Sequence, residues 1–233
     1  SRPSRSSGGG TEYGVVGMIK KRNKRIKLVV IVIALTVISS LLIGYLIYKK
    51  IETPKLTDKN GVVVYSTDKP DERKIDNSFK WQGQPKDPKK IIIPKINVDA
   101  HIQKVGIDQN KEVAVPTSLY TVGWFVDTVR PGEKGLSLID GHVTGRQNDG
   151  VFKDLNKLKK GDQYSVERGD GTVIKYEVIG KESAKIKESV GIMFSQDPSI
   201  ASQLNLVTCA GQYDKSTRTY NERLTVMSKR IDT

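Results

Sequence analysis

Between residues 28 and 48 the chain reads LVVIVIALTVISSLLIGYLIY, without a single charge and with no polar face. At ~1.5 Å of rise per residue, about 20 apolar residues cross a bilayer core, so this stretch predicts one transmembrane helix. Further along, the pattern changes to short β-branched or alternating runs. These are IIIPKINVDAHI (91–102), EVAVP (112–116), LSLIDGHV (136–143), LNLVTC (204–209) and ERLTVMSKRI (222–231). Residues 163–180 hold two alternating segments around Gly169-Asp170-Gly171, which predicts a β-hairpin. One stretch, VFKDLNKLKKGD (151–162), spaces Val151, Leu155 and Leu158 for a helix ending at Gly161. Many short strands with few helices predict an all-β barrel or sandwich behind the membrane helix.

Charge sharpens this division. The net charge of +13 first suggests a nucleic-acid or membrane partner. Yet residues 1–50 carry ten Lys and Arg against the single acid Glu12, whereas the remainder has 29 basic and 25 acidic residues. The basicity belongs to the N-terminal segment, and the case for nucleic acid loses its support. The cluster KKRNKRIK (20–27) precedes the apolar run, so the positive-inside rule keeps residues 1–27 cytoplasmic and sends the chain outside from about residue 49. The run is long for a cleaved signal peptide and no small-x-small site follows it, which favours an uncleaved anchor. The organisation expected is a basic, disordered cytoplasmic N-terminus (1–27) and an anchor (28–48). An extracellular spacer rich in Lys, Asp, Pro and Ser (49–90) follows, then the folded domain (91–233).

Cysteine usage narrows the chemistry. Cys209 is the only cysteine, so neither an intramolecular disulfide nor a multi-cysteine zinc site can form. By default a lone cysteine is a small buried hydrophobe. Any Cys–His chemistry must use His101 or His142, the only two histidines. A thiol attacks carbonyls as thiolate, which a neighbouring imidazole or guanidinium stabilises, and acyl transfer also needs a donor for the oxyanion. Cys209 closes the run LNLVTC just before a loop, and Arg223 opens the next strand-like run fourteen positions later. If those two strands are neighbours, Arg223 reaches the end that carries Cys209. His142 ends another apolar run beside Gly141.

Leu206-Val207-Thr208-Cys209, followed by Arg223 at the start of the next strand, resembles the signature of the sortase family: a Thr-x-Thr-Cys or Leu-x-Thr-Cys strand end, a loop, then Arg. PGEKGLSLIDGHV (131–143) is similar to the family's Gly-His segment, and IPKINVDAHI (93–102) to its early strand. Residues 151–162 are similar to the Phe-Leu-x-x-Leu-x-x-Gly-Asp stretch that follows the family's histidine. The blocks stand in family order and span about residues 91–231.

The resemblance implies a sortase-like closed β-barrel with short helices. It casts Cys209 as nucleophile, His142 as general acid/base and Arg223 as the oxyanion or substrate clamp. Thr208 would support the substrate groove, Arg218 stands as an alternative to Arg223, and His101 is structural or on the surface. The expected activity is that of a cysteine transpeptidase that cleaves an LPxTG-like sorting signal of surface proteins through a thioester and passes it to a peptidoglycan precursor amine. The implied setting is a Gram-positive cell membrane, with the catalytic domain extracellular. Gly123-Trp124-Phe125 and the Pro-Gly-Glu-x-Gly segment look closest to classes E and F. Asp87-Pro88 is followed by Lys89 and not by the aromatic residue of the pilin-polymerising members.

Rival readings are a hydrolytic cysteine peptidase and a non-enzymatic, membrane-anchored binding module. An L,D-transpeptidase lacks support because its Ser-His-Gly-Cys block is missing here. No metal or other cofactor is expected, with calcium dependence left open because no EF-hand-type ligand cluster is present.

Overall fold

The computed structural model describes residues 12–50, 55–67, 69–74 and 79–231, and the chain divides into two units, Ser1–Thr53 and Pro54–Thr233. The described residues of the first unit form a single helix, α1 (Glu12–Lys50). Within it, Lys27–Leu46 is long and apolar enough to cross a membrane, and none of it is buried against protein. Thr36, Ser39 and Ser40 turn their hydroxyls back onto the carbonyls of Ile33, Thr36 and Val37. That leaves little unsatisfied polarity on the apolar cylinder, as a lipid environment demands. The helix starts well before the apolar run. Residues 12–27 were expected to be disordered but are helical, because Lys and Arg are good helix formers and an established helix extends cheaply through them. The rest of the expected disordered segment, residues 1–11, lies outside the described residues, as do 51–54, 68 and 75–78 of the spacer.

The second unit is an eight-stranded closed barrel. Its strands are β1 (Pro88–Ile93), β2 (Val98–Val105), β3 (Val122–Phe125), β4 (Gly135–Gly141), β5 (Gln163–Arg168), β6 (Val173–Lys185), β7 (Ser202–Asp214) and β8 (Thr219–Arg230). They run in the spatial order β1-β2-β3-β4-β7-β8-β6-β5, with β5 pairing β1 to close the ring. Two pairings are parallel, β2 with β3 and β4 with β7. The barrel expected from the sequence is present, and its interior follows the period of two. Leu204 and Leu206 of β7 face Leu224 and Val226 of β8 in one core with Ile91, Ile93 and Tyr176. Burying each such side chain contributes roughly 1.5–3 kcal/mol. Strand β7 is buried on both faces from Ser202 to Thr208. A short helix, α2 (Ile186–Met193), and the chain after it cover its outer side. There Asn205 Nδ2 donates to Met193 O at 2.9 Å, and Gln203 Nε2 donates to Ser195 O at 3.0 Å.

Four segments depart from the sequence reading. The run 91–102 is two strands, because Pro94 cannot donate to a ladder and opens a 3-10 turn, Pro94–Ile96, with Asn97 left-handed at φ 53°. The run 112–116 forms no strand; Val113 makes one bridge to Ile107, while Ala114 is buried. The helix expected at 151–162 shrinks to a 3-10 turn, Leu155–Lys157. The residues buried there, Phe152, Leu155 and Leu158, are spaced by three, which suits a 3-10 period and not an α-helical one. Helix α2 was not anticipated, although Ile186, Val190 and Met193 fall at helical spacing.

Residues 55–67 and 69–74, read as spacer, lie along the barrel. Val63 is 1% exposed, donates its N–H to Lys104 O and accepts from Gly106 N, both at 2.9 Å. It joins a second apolar cluster with Val105, Ala114, Phe125, Leu138 and Val207 on the outer face of the sheet.

Candidate active site

The register of three adjacent strands decides where the candidate residues meet. In β7 and β8, Cys209 stands directly opposite Arg223. Directly opposed residues of an antiparallel pair project from the same face. On the other side of β7, the parallel ladder with β4 pairs Asp140 with Val207. Strand β4 stops at Gly141, so His142 emerges immediately past it, at the end of the sheet where β7 carries Cys209. The three sequence-chosen residues therefore come together from separate elements. They line one cleft of about 410 Å³, which Asp140 also lines. Its apolar wall includes Ile107, Val113, Phe125, Leu138, Val190 and Met193.

Thr208, one residue before Cys209, sends its buried hydroxyl to Gly141 O at 2.7 Å. This bond ties the end of β7 to the end of β4, immediately before His142. Thr208 also contributes to the cleft lining. His142 Nε2 donates to Pro116 O at 2.8 Å, which leaves Nδ1 as the unprotonated nitrogen of the neutral ring. Arg223 Nη1 donates to Tyr220 O and Glu222 O at 3.2 and 3.0 Å. These bonds anchor one arm of the guanidinium at the hairpin, and Arg carries five N–H donors in all.

Burial governs the electrostatics. It pushes the Cys209 thiol up; Arg223 opposes this, and the charge of Asp140 adds to it. Burial also pushes the His142 imidazole down, against the bond to Pro116. A raised thiol and a lowered imidazole make the neutral pair dominant near neutral pH, with thiolate–imidazolium the minor form.

Asp140 escaped the sequence reading. It is 8% exposed, its Oδ1 has no hydrogen-bond partner among the described residues, and burial holds its carboxyl well above the usual carboxylate range. Its neighbour across the ladder is Gly123, where a Cβ would come within 2.4 Å of Oδ1. The carboxyl fits only because that position has no side chain. The signal was in plain view: an acid inside the apolar run LSLIDGHV, two residues before His142. Ser66, from the segment read as spacer, also lines the cleft, and no local pattern announces it.

The other candidates lie elsewhere. Arg218 sits at φ 55° on the β7–β8 hairpin, in a separate surface pocket with Lys69, Arg146, Tyr213 and Lys215. His101, on β2, stacks on Phe79 with ring centroids 4.6 Å apart, in keeping with a structural place. Among the described residues no group of three or more His, Cys, Asp or Glu is arranged to hold a metal ion.

A closed β-barrel with a thiol, an imidazole and a guanidinium in one cleft has the parts a cysteine acyl-transfer enzyme needs. A family model described as the sortase domain matches residues 91–231, and the chain belongs to the sortase family. It is a sortase transpeptidase, and neither the hydrolytic peptidase nor the binding module is favoured. Among solved structures it is similar to sortase C-1 from Actinomyces oris, at 30% identity over 62% of this chain and 73% of that one, with a TM-score of 0.47. The lid mutant of sortase A from Corynebacterium diphtheriae is 25% identical over 62% and 69%, with a TM-score of 0.49. The sortase D5 transpeptidase of Clostridium perfringens is 24% identical over 61% and 78%, with a TM-score of 0.46. No curated protein matches the chain.

Proposed function

We propose that Cys209 is the nucleophile of this transpeptidase, His142 its general acid and base, and Arg223 its oxyanion donor. The observation that carries this reading is that Arg223 stands opposite Cys209 in the β7–β8 register while His142 lines the same cleft. The substrate is an LPxTG-like sorting signal of a surface protein. The Cys209 thiolate adds to the Thr–Gly carbonyl, and Arg223 N–H groups receive the oxyanion. The C–N bond breaks as His142 imidazolium protonates the departing amine, leaving a thioester on Cys209. A peptidoglycan precursor amine then attacks the thioester and gives its proton to neutral His142, and the C–S bond breaks to return the thiolate. Thr208 contributes by holding the two strand ends together under the substrate groove.

The helix Lys27–Leu46 would act as an uncleaved anchor, with the basic side cytoplasmic and the barrel at the outer face of a Gram-positive membrane. That arrangement puts the cleft where a surface protein and a wall precursor meet. Gly123-Trp124-Phe125 and the Pro131–Gly135 segment support a place near classes E and F. Asp87 accepts from Arg130 Nε and Gln84 N, both at 2.9 Å, so Asp87-Pro88 serves the barrel wall and not a lid.

Intact mass spectrometry of the full chain in detergent micelles, given an LPxTG-type peptide and then a glycine-based amine, tests the reading. A thioester adduct that disappears in Cys209→Ala, followed by an amine-ligated product, is expected. Cleavage without ligation at saturating amine would replace the transpeptidase reading by a hydrolase.

A further inference from the structure

The segment that precedes the barrel grips both supports of His142. On one side is the stretch 115–119, whose Pro116 carbonyl holds the imidazole Nε2. Ser66 Oγ accepts the N–H of Val115 at 3.3 Å, Asp71 N donates to Thr117 O at 2.8 Å, and Leu119 N donates to Asp71 O at 2.9 Å. On the other side is the loop that follows His142. There the Glu72 carboxylate accepts the N–H groups of Arg146, Gln147 and Asn148 at 2.5, 3.1 and 3.1 Å, and Asn148 Nδ2 at 2.9 Å. Successive backbone amides converging on one carboxylate form an anion nest, and here the anion is supplied from more than seventy residues away. Those bonds hold the Glu72 carboxyl below its ordinary value, so it stays charged through the neutral range. The fit is close: a Cβ at Gly145 would lie 2.7 Å from Glu72 Oε1 and 2.9 Å from Leu119 Cδ2. Residues 66–72 lie outside the matched sortase domain, 91–231.

We infer that Glu72 is a positioning residue for the transpeptidase reaction, and that the segment around it is a clasp that sets the orientation of His142. The inference rests on the proposed role of His142. The clasp acts from both directions: Asp71 and Ser66 fix the stretch that carries the Pro116 acceptor, and Glu72 fixes the backbone four to six residues past the ring. A general acid must meet the leaving amine within hydrogen-bond reach, so loosening either support lowers turnover more than substrate binding.

The test uses the full chain in detergent micelles, comparing wild type with Glu72→Gln, Glu72→Asp and Gly145→Ala. The last variant pushes the loop off the carboxylate while leaving Glu72 itself in place. Expected for Glu72→Gln are roughly tenfold faster amide exchange at residues 146–148 and about tenfold lower kcat with KM changed by less than about twofold. The His142 ring, followed by NMR, should titrate at higher pH as water reaches it, since burial is what holds it down. Glu72→Asp should fall between the two, and Gly145→Ala should reproduce the Gln variant. Unchanged exchange overturns the clasp. Faster exchange with unaltered kcat and an unaltered His142 titration overturns the positioning role. Failure of the underlying reading shows separately, as full activity in His142→Ala.

Discussion

Cys209 and Arg223 sit within a continuous antiparallel ladder running from Gln203↔Lys229 to Ala210↔Glu222, and β7 is clamped on its far edge by β4. His142 stands one residue past the end of β4. Its ring is fixed by one backbone carbonyl, and its own carbonyl accepts from Phe152 N at 2.9 Å. One half of the site is therefore made by the sheet itself, and the other by loops that distant segments hold in place. The difference teaches where the chemistry is rigid and where it is adjustable. Cys209 and Arg223, the proposed nucleophile and oxyanion donor, share a frame that moves only if the barrel does, whereas His142, the proposed acid/base group, answers to its surroundings.

The largest effects should come from the sheet side. Cys209→Ala removes the thioester altogether, measured by mass, while circular dichroism keeps the β signal. Arg223→Ala should lower kcat by about 10²–10³, the usual loss for an oxyanion donor. Arg223→Lys should recover part of it, because it restores charge without the planar fork. An Arg223→Ala enzyme of undiminished kcat would remove the guanidinium from the reaction.

Next is the seam between the halves. Thr208→Val keeps shape but strands the carbonyl of buried Gly141, costing roughly 1–3 kcal/mol in a denaturant melt. If the melt is unchanged, the hydroxyl is not what ties β7 to β4. The smallest effect belongs to Asp140. An ionised Asp140 opposes the thiolate, so Asp140→Asn should move the pH profile of Cys209 alkylation to lower pH. A shift in the other direction would mean that the acid assists the thiol as a neutral donor.

The same division explains what could be read from the chain alone. The sheet side was legible because its information is local. Alternation identified the strands of Cys209 and Arg223, and a fourteen-residue hairpin excursion made their pairing plausible. His142 was found through its Gly-His block, but its environment was not. Pro116 lies 26 positions away and Glu72 seventy or more, in stretches whose composition reads as turn or spacer. Asp140 was hidden for a different reason. A single acid in an apolar run looks like the polar face of a strand until the second apolar layer, with Val63, Leu138 and Val207, is seen to cover that face. The 3-10 turn at Leu155–Lys157 passed for an α-helix because Leu155 and Leu158 satisfy either period.

The parallel pairing of β4 with β7 also bears on the order of events during biogenesis. It joins residues as far apart as Asp140 and Val207, and Arg223 arrives later still. Contacts of such long sequence separation close slowly, because the intervening chain must be ordered first. The thiol thus meets its imidazole and guanidinium only once the last two strands have been delivered and the ring is shut. On the proposed roles, an unfinished or half-folded chain carries a cysteine without its partners, and the site is assembled only with completion of the barrel.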